Sequence, residues 1–109
     1  MTDSRISASE AKLLFQIRTR MFPVKENFKT KIKKQGQNLN CELCKTERDT
    51  QKHLLKCHIL QNLVPDLATT KVKYEDIYGS GIKMVKAGKL FMKVSNARTE
   101  ILELLSMAD

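Results

Sequence analysis

The sequence predicts a small, mainly helical domain with a compact cysteine/histidine module between its helices. Three observations support this fold class. A capping sequence precedes an apolar stripe near the start of the chain, a longer stripe at spacings of three and four occupies its end, and all three cysteines cluster between the two stripes. A chain of 109 residues, 41% of them hydrophobic, is the size of one domain, so we expect residues 1–109 to fold as a unit.

The first helix is predicted over residues 7–22. Ser7 and Glu10 have the spacing of a capping box, in which each side chain accepts a hydrogen bond from the other residue's backbone N–H. Pro23 cannot continue a helix, so we expect the helix to end near Met21. The serine and arginine content also resembles a mitochondrial presequence, but Glu10 and the capping pattern favour an ordinary helix. The apolar stripe consists of Ala11, Leu14, Ile17 and Met21, widened by Leu13, Phe15 and Phe22.

The module at residues 39–60 carries the pattern C-x2-C-x8-H-x3-C, formed by Cys41, Cys44, His53 and Cys57. Two closely spaced thiols suit a tight turn, and a histidine and a cysteine four residues apart would project from the same face of a helix. Asp49 or Thr50 could cap that helix. Three thiolates and an imidazole form a closed tetrahedral set for Zn²⁺, so we expect a structural zinc site of the CCHC zinc-finger type.

Other interpretations of the cysteines are weaker. C-x2-C alone is also a redox motif, but no strand-helix-strand pattern surrounds it here. Three cysteines cannot all pair in disulfides, and they could simply pack in a core. His58 could replace His53 as the fourth ligand, although on a helix it would leave the face that carries Cys57.

Residues 39–57 resemble the zinc-binding tail of non-LTR retrotransposon reverse-transcriptase polyproteins. That tail has C-x-L-C, an acidic linker, a threonine and then H-L-L-x-x-C. The residues of this chain that fit are Leu43, Glu47, Asp49, Thr50, His53, Leu54, Leu55 and Cys57, together with the first two cysteines. The flanks at residues 6–21 and 73–78 match less specifically.

The resemblance is to the tail alone, because 109 residues cannot hold the polymerase and endonuclease portions of such polyproteins. The chain would then be an excised module or a host gene derived from one. The tail is generally taken to contact nucleic acid, so the resemblance implies the same role here. The module itself has no aromatic residue for base stacking between Cys41 and Cys57, so we expect contacts to come from outside it.

The last helix is predicted over residues 82–107 and is the longest. Its apolar face runs along residues 84–105 and is interrupted by Arg98, while Gly88 lowers helix propensity nearby. The face could pack on the first helix within one domain, or it could form a homodimer or bind a protein partner. It consists of Met84, Ala87, Phe91, Val94, Arg98, Ile101 and Leu105.

Charge is the second functional clue, since 20 Lys and Arg against 12 Asp and Glu give a net charge of +8. The excess is concentrated in two segments, residues 25–34 and 83–93. Lysines there could neutralise phosphates, which predicts salt-sensitive nucleic-acid binding without strong sequence preference. A merely solvated helix face, or a membrane-surface helix, is the alternative for the second segment. The candidate contacts are Lys25, Lys29, Lys31, Lys33, Lys34, Lys83, Lys86, Lys89 and Lys93.

We therefore expect a zinc-stabilised, non-enzymatic module that binds DNA or RNA, with a protein-interaction or dimerisation adaptor as the alternative. No paired-carboxylate, phosphate-loop or open zinc motif points to catalysis. Free thiolate ligands favour a reducing compartment, so we expect the nucleus or cytoplasm. No apolar run approaches the length of a membrane span, and no signal peptide is visible.

Overall fold

A computed structural model describes residues 5–36 and 38–107 and confirms the mainly helical fold class. Within these ranges the α-helices are α1 (Ala8–Arg18), α2 (Lys29–Lys34), α3 (His58–Leu63), α4 (Asp66–Thr69) and α5 (Gly81–Ser106). Short 3₁₀ helices span Lys25–Phe28, Lys52–Leu55 and Tyr74–Tyr78. The described residues contain no β-strand, only an isolated bridge between Asn40 and Arg48. No helix among them is long and apolar enough to span a bilayer.

Helix α1 starts as predicted but ends earlier. The capping box is present: Glu10 N–H donates to Ser7 Oγ at 3.1 Å, and Ser7 N–H donates to Glu10 Oε1 at 2.9 Å. The expected end near Met21 is wrong, because the helix stops at Arg18. The backbone of Arg20 turns into the left-handed region at φ 60°, so the chain has left the helix before it reaches Pro23.

The first part of the apolar face of α5 packs against α1 within the chain. Leu14 lies against Gly88, where an added Cβ would come within 3.2 Å of Leu14 Cδ1. The glycine that weakens helix propensity therefore lets the two helices approach closely. The 3₁₀ helix Tyr74–Tyr78 covers the same face, with the rings of Tyr74 and Phe91 edge to face at 6.2 Å.

The C-terminal end of α5 is less buried than its first turns. Ile101 is half-buried, and Leu104, Leu105 and Met107 are exposed. The apolar face is therefore buried within the chain as far as Arg98. Dimerisation stays a prediction, and it could involve only the turns of α5 that follow Arg98.

Helix α1 offers a test of its capping box. Glu10 also accepts a hydrogen bond from Lys89 Nζ at 3.3 Å. Glu10→Ala removes both contacts, and we expect a loss of about 1 kcal/mol in the free energy of unfolding. Glu10→Gln can keep the reciprocal bond to Ser7 and loses only the exposed ion pair, so a loss below about 0.5 kcal/mol is expected in urea unfolding. Equal losses in the two variants would contradict the capping role.

The pH dependence follows from the same contacts. The Ser7 backbone N–H, outweighing burial and assisted by Lys89, lowers the pKa of Glu10 in the folded protein. A carboxyl with a lowered folded-state pKa stabilises the protein above its unfolded pKa and loses that effect as the pH falls through the folded value. The stability difference between the native protein and Glu10→Gln should therefore shrink below about pH 4.

Candidate metal centre

The first two cysteines lie in a short hairpin that follows α2. Its two arms are joined by hydrogen bonds from Cys41 N–H to Glu47 C=O at 2.7 Å and from Asp49 N–H to Leu39 C=O at 2.8 Å. The turn closes where Lys45 N–H donates to Cys41 C=O at 2.9 Å, with Lys45 in the left-handed region at φ 59°. This turn brings the two thiols to the same side of the hairpin, as the C-x2-C spacing predicts.

The second pair of ligands is built differently from the prediction. His53 lies in the 3₁₀ helix Lys52–Leu55, whereas Cys57 precedes the first residue of α3 and has extended backbone angles (φ −64°, ψ 120°). The expectation of one helix carrying both residues is therefore wrong. They still converge, because His53 C=O accepts from Cys57 N–H at 2.8 Å. Thr50 Oγ1 accepts from His53 N–H at 3.0 Å, but the N-cap of this 3₁₀ helix is Gln51, so neither Asp49 nor Thr50 holds the expected cap position.

The four side chains meet in one cluster between α2 and α3. The sulfur atoms of Cys41, Cys44 and Cys57 and a ring nitrogen of His53 all lie within 4.8 Å of one another. Cys44 Sγ is 3.3 Å from His53 Nε2. A tetrahedral zinc site with ordinary bond lengths has ligand separations of about 3.5–3.8 Å. The cluster thus has the ligands and the dimensions to hold a metal ion. His58 is exposed at the start of α3 and lies outside it.

The thiols of the cluster have very different acidities. Burial raises the pKa of Cys41 to about 11, against hydrogen bonds from the backbone N–H groups of Cys44 and Leu43. Burial also acts to raise the pKa of Cys44, but hydrogen bonds from Thr46, Glu47 and His53 outweigh it and bring that pKa to about 6. Three thiolates this close repel one another, so a cation among them is what would keep all three ionised.

The imidazole of His53 fits the same arrangement. It is only 6% exposed, and its Nδ1 atom has no aligned hydrogen bond, although Glu47 Oε2 lies only 3.0 Å away. With Nε2 directed at the cluster, Nδ1 would carry the proton and a small rotation would let it donate to Glu47. A carboxylate behind a metal-bound histidine is a common way to fix the ring's orientation.

Asp49 joins the hairpin to the rest of the protein and is almost completely buried. Its Oδ2 atom accepts hydrogen bonds from Lys25 N–H at 3.0 Å and from Arg98 Nη2 at 3.1 Å. Its backbone C=O accepts from Glu26 N–H at 3.0 Å. Arg98 interrupts the apolar face of α5 in the sequence pattern, but its partner is 49 residues away and no local spacing identifies it.

The predicted lysine contacts fall into two groups. Three of them form ion pairs: Lys25 with Glu42, Lys89 with Glu10, and Lys93 with Asp66. The others are exposed and have no carboxylate partner among the residues that the structure describes. These are Lys29, Lys31, Lys33 and Lys34 on α2, and Lys83 and Lys86 on α5. The stripe along α5 is thus half neutralised by the protein's own acids, whereas that on α2 is not.

Comparison of the chain with protein-family models, with curated proteins and with solved structures found no match.

Proposed function

We propose that the Cys3His cluster holds a structural Zn²⁺ ion and that the protein is a non-enzymatic nucleic-acid-binding module. The donor set supports zinc, since thiolate and imidazole ligands in a closed tetrahedron are typical of structural zinc sites. Bound zinc would supply a fixed positive charge that holds the hairpin and the start of α3 together. All four ligand positions come from the protein, which leaves no open position for a substrate.

The lysines of α2 carry the nucleic-acid part of the proposal. Four of its six residues are exposed lysines, and the sequence has no acidic residue between Glu26 and Glu42. A short, positively charged helix that has no acidic partner in the described residues can place ammonium groups on successive phosphates and release their counterions. Lys83 and Lys86 on α5 would add a second contact. Lys25, Lys89 and Lys93 would each have to break an ion pair before contacting a phosphate. We therefore expect them to contribute less to nucleic-acid affinity.

The resemblance of residues 39–57 to a retrotransposon tail supports the same proposal. A module of that origin would reach its ligand in the nucleus or the cytoplasm, where thiolates stay reduced. DNA and RNA both have a phosphate backbone, so the lysines could contact either one.

The test is a binding titration with zinc-loaded protein and single- and double-stranded DNA and RNA over a salt series. Replacing Lys29, Lys31, Lys33 and Lys34 by Gln should lower the affinity for nucleic acids of any base sequence. It should also reduce the magnitude of the slope of log affinity against log salt by about 3. The control, Lys89→Gln with Lys93→Gln, should change the slope by less than about 0.5 in total, because these lysines already have acidic partners. Unchanged affinity in the α2 variant would exclude this interface.

The alternative function is a protein-interaction or dimerisation adaptor, and the exposed end of α5 favours it. Leu104, Leu105 and Met107 are more than half exposed, and Glu100 and Glu103 are the acidic residues beside them. A second copy or another protein could cover this end. The molecular mass in solution tests the dimerisation adaptor. A monomeric native protein would exclude the homodimer, whereas a dimer that Leu105→Glu converts to a monomer would support it.

A further inference from the structure

The end of α1 places an arginine where a glycine would be least strained. Arg20 N–H donates to Ile17 C=O at 3.2 Å, and Met21 N–H donates to Gln16 C=O at 2.7 Å. This pair of bonds is a Schellman motif, whose left-handed residue is usually glycine because a Cβ is strained there. Arg20 occupies that position at φ 60°. A side chain kept in a strained backbone conformation points to a role for the side chain itself.

The guanidinium of Arg20 has no partner among the residues that the structure describes. Three other arginines in the described ranges do have acceptors: Arg18 donates to Ile77 C=O and Gly79 C=O, Arg48 pairs with Glu26, and Arg98 pairs with Asp49. Arg20 is exposed, and among residues 5–36 and 38–107 its side chain makes no hydrogen bond and no ion pair. Its donor groups are therefore free for a ligand.

Arg20 lies at the edge of a cleft of about 430 Å³, which we call the Arg20 cleft. Two acidic residues also line it, but Glu26 is paired with Arg48, and Glu75 lies 3.6 Å from Lys52. Of the two lining cations, Arg20 is thus the one without an acidic partner in the described part of the chain. The remaining lining residues are Thr50, Gln51, Lys52, Tyr74 and Tyr78.

The floor of the cleft is held by a hydrogen-bond network. Gln51 is buried and donates from Nε2 to Ile17 C=O at 3.0 Å and to Tyr74 Oη at 2.7 Å. The hydroxyls of Tyr74 and Tyr78 are 2.8 Å apart. Burial raises the pKa of Tyr74 to about 12, and the charge of Arg20, which lines the same cleft, acts in the opposite direction.

We infer that the Arg20 cleft binds a phosphate group, carried by a nucleotide or by a polynucleotide strand. The planar guanidinium can donate two parallel hydrogen bonds to phosphate oxygens. Lys52 also lines the cleft, but it already lies 3.6 Å from Glu75, so Arg20 is the principal phosphate-binding group. The ring of Tyr78 is 46% exposed and offers a surface on which the attached base can stack. The polynucleotide form of this inference rests on the proposed function, but no lysine of α2 lines the cleft.

The first experiment uses NMR of isotope-labelled, zinc-loaded protein with three probes: inorganic phosphate, uridine 5′-monophosphate and uridine. Phosphate and the nucleotide should shift the Arg20 Nε–H signal and the amide signals of Thr50 and Gln51 until they saturate. Uridine, which lacks phosphate, should cause much smaller shifts. The nucleotide should bind more tightly than phosphate if the base stacks on Tyr78. Absence of saturating shifts with both phosphate probes would overturn the inference.

Arg20→Gly distinguishes a ligand-binding role from a structural one. Glycine relieves the strain of the left-handed backbone, so the thermal midpoint should stay the same or rise while the phosphate-induced shifts disappear. Lys45→Gly is the matched control, since it relieves the same kind of strain at φ 59° outside the Arg20 cleft. It should leave the shifts intact. Equal phosphate response in the native protein and Arg20→Gly would exclude Arg20 as the binding group.

Binding to single-stranded RNA separates this inference from the proposed function. Arg20→Gly should reduce the slope of log affinity against log salt by about 0.7, the loss of one phosphate contact. An unchanged slope in Arg20→Gly, with a large loss in the α2 lysine variant, would overturn the polynucleotide form and keep the proposed function. A native protein that binds phosphate and the nucleotide but no strand would overturn the proposed function together with the polynucleotide form, and would keep nucleotide binding at the Arg20 cleft.

Discussion

His53→Ala is expected to abolish metal-dependent folding, whereas His58→Ala should leave it intact. Structural zinc supplies roughly 10–16 kcal/mol of apparent binding free energy in small zinc domains, as much as the whole stability of a typical protein. Two of the ligands, Cys41 and Cys57, are also part of the hydrophobic core. Losing the ion would therefore disturb the packing of α3 and α5 as well as the hairpin.

The measurement is metal content per chain together with thermal unfolding, followed by circular dichroism, with and without a chelator. The native protein and His58→Ala should each bind one Zn²⁺ ion and lose their cooperative transition when the chelator is added. His53→Ala should show little response to the chelator, because it lacks the ion from the start. The two histidines lie five residues apart and only His53 joins the cluster, so the pair is well matched. Normal zinc affinity in His53→Ala would contradict this assignment of the ligands.

The second large effect is expected from the buried ion pair between Asp49 and Arg98. Asp49 is 1% exposed and Arg98 8% exposed, so either charge is costly when the other is removed. We expect Arg98→Met and Asp49→Asn each to lower the free energy of unfolding by about 3–5 kcal/mol. The side-chain amide introduced by Asp49→Asn would keep an acceptor for Lys25 N–H, which limits the change mainly to the charge.

A double-mutant cycle in urea unfolding tests this pair. The double variant, Asp49→Asn with Arg98→Met, should be more stable than either single variant, because it leaves no unpaired buried charge. Arg48→Met is the control: it breaks the more exposed pair with Glu26 and should cost less than about 1 kcal/mol. Simple additivity of the two buried substitutions would show that the charges do not stabilise each other.

The sequence predicted the parts of the fold that depend on local spacing. The capping box at Ser7 involves residues three positions apart, and the apolar face of α5 repeats at three and four, so each can be seen without knowing the tertiary structure. The Cys3His pattern predicted which four side chains meet, because turns and short helices limit how far apart they can lie.

The parts that were wrong or missed depend on backbone geometry or on distant residues. Spacing of four residues does not require a helix, and the break between His53 and Cys57 arises where the backbone extends at Cys57. The early end of α1 requires a left-handed arginine, which propensities disfavour. The partner of Arg98 could not be identified, because pairing with Asp49 depends on how the hairpin docks on α5.

The small size of α2 has a consequence for how a ligand would be held. Its six residues include no buried side chain, and a helix this short has little stability of its own. Segments with few buried contacts open locally at low cost, and their amide protons exchange readily with solvent. A strand bound there would order the lysines as it arrives, and part of the binding free energy would be spent on that ordering. If the proposed interface exists, it would adapt to nucleic-acid backbones of different shape and would accept a wider range of ligands, each with lower affinity.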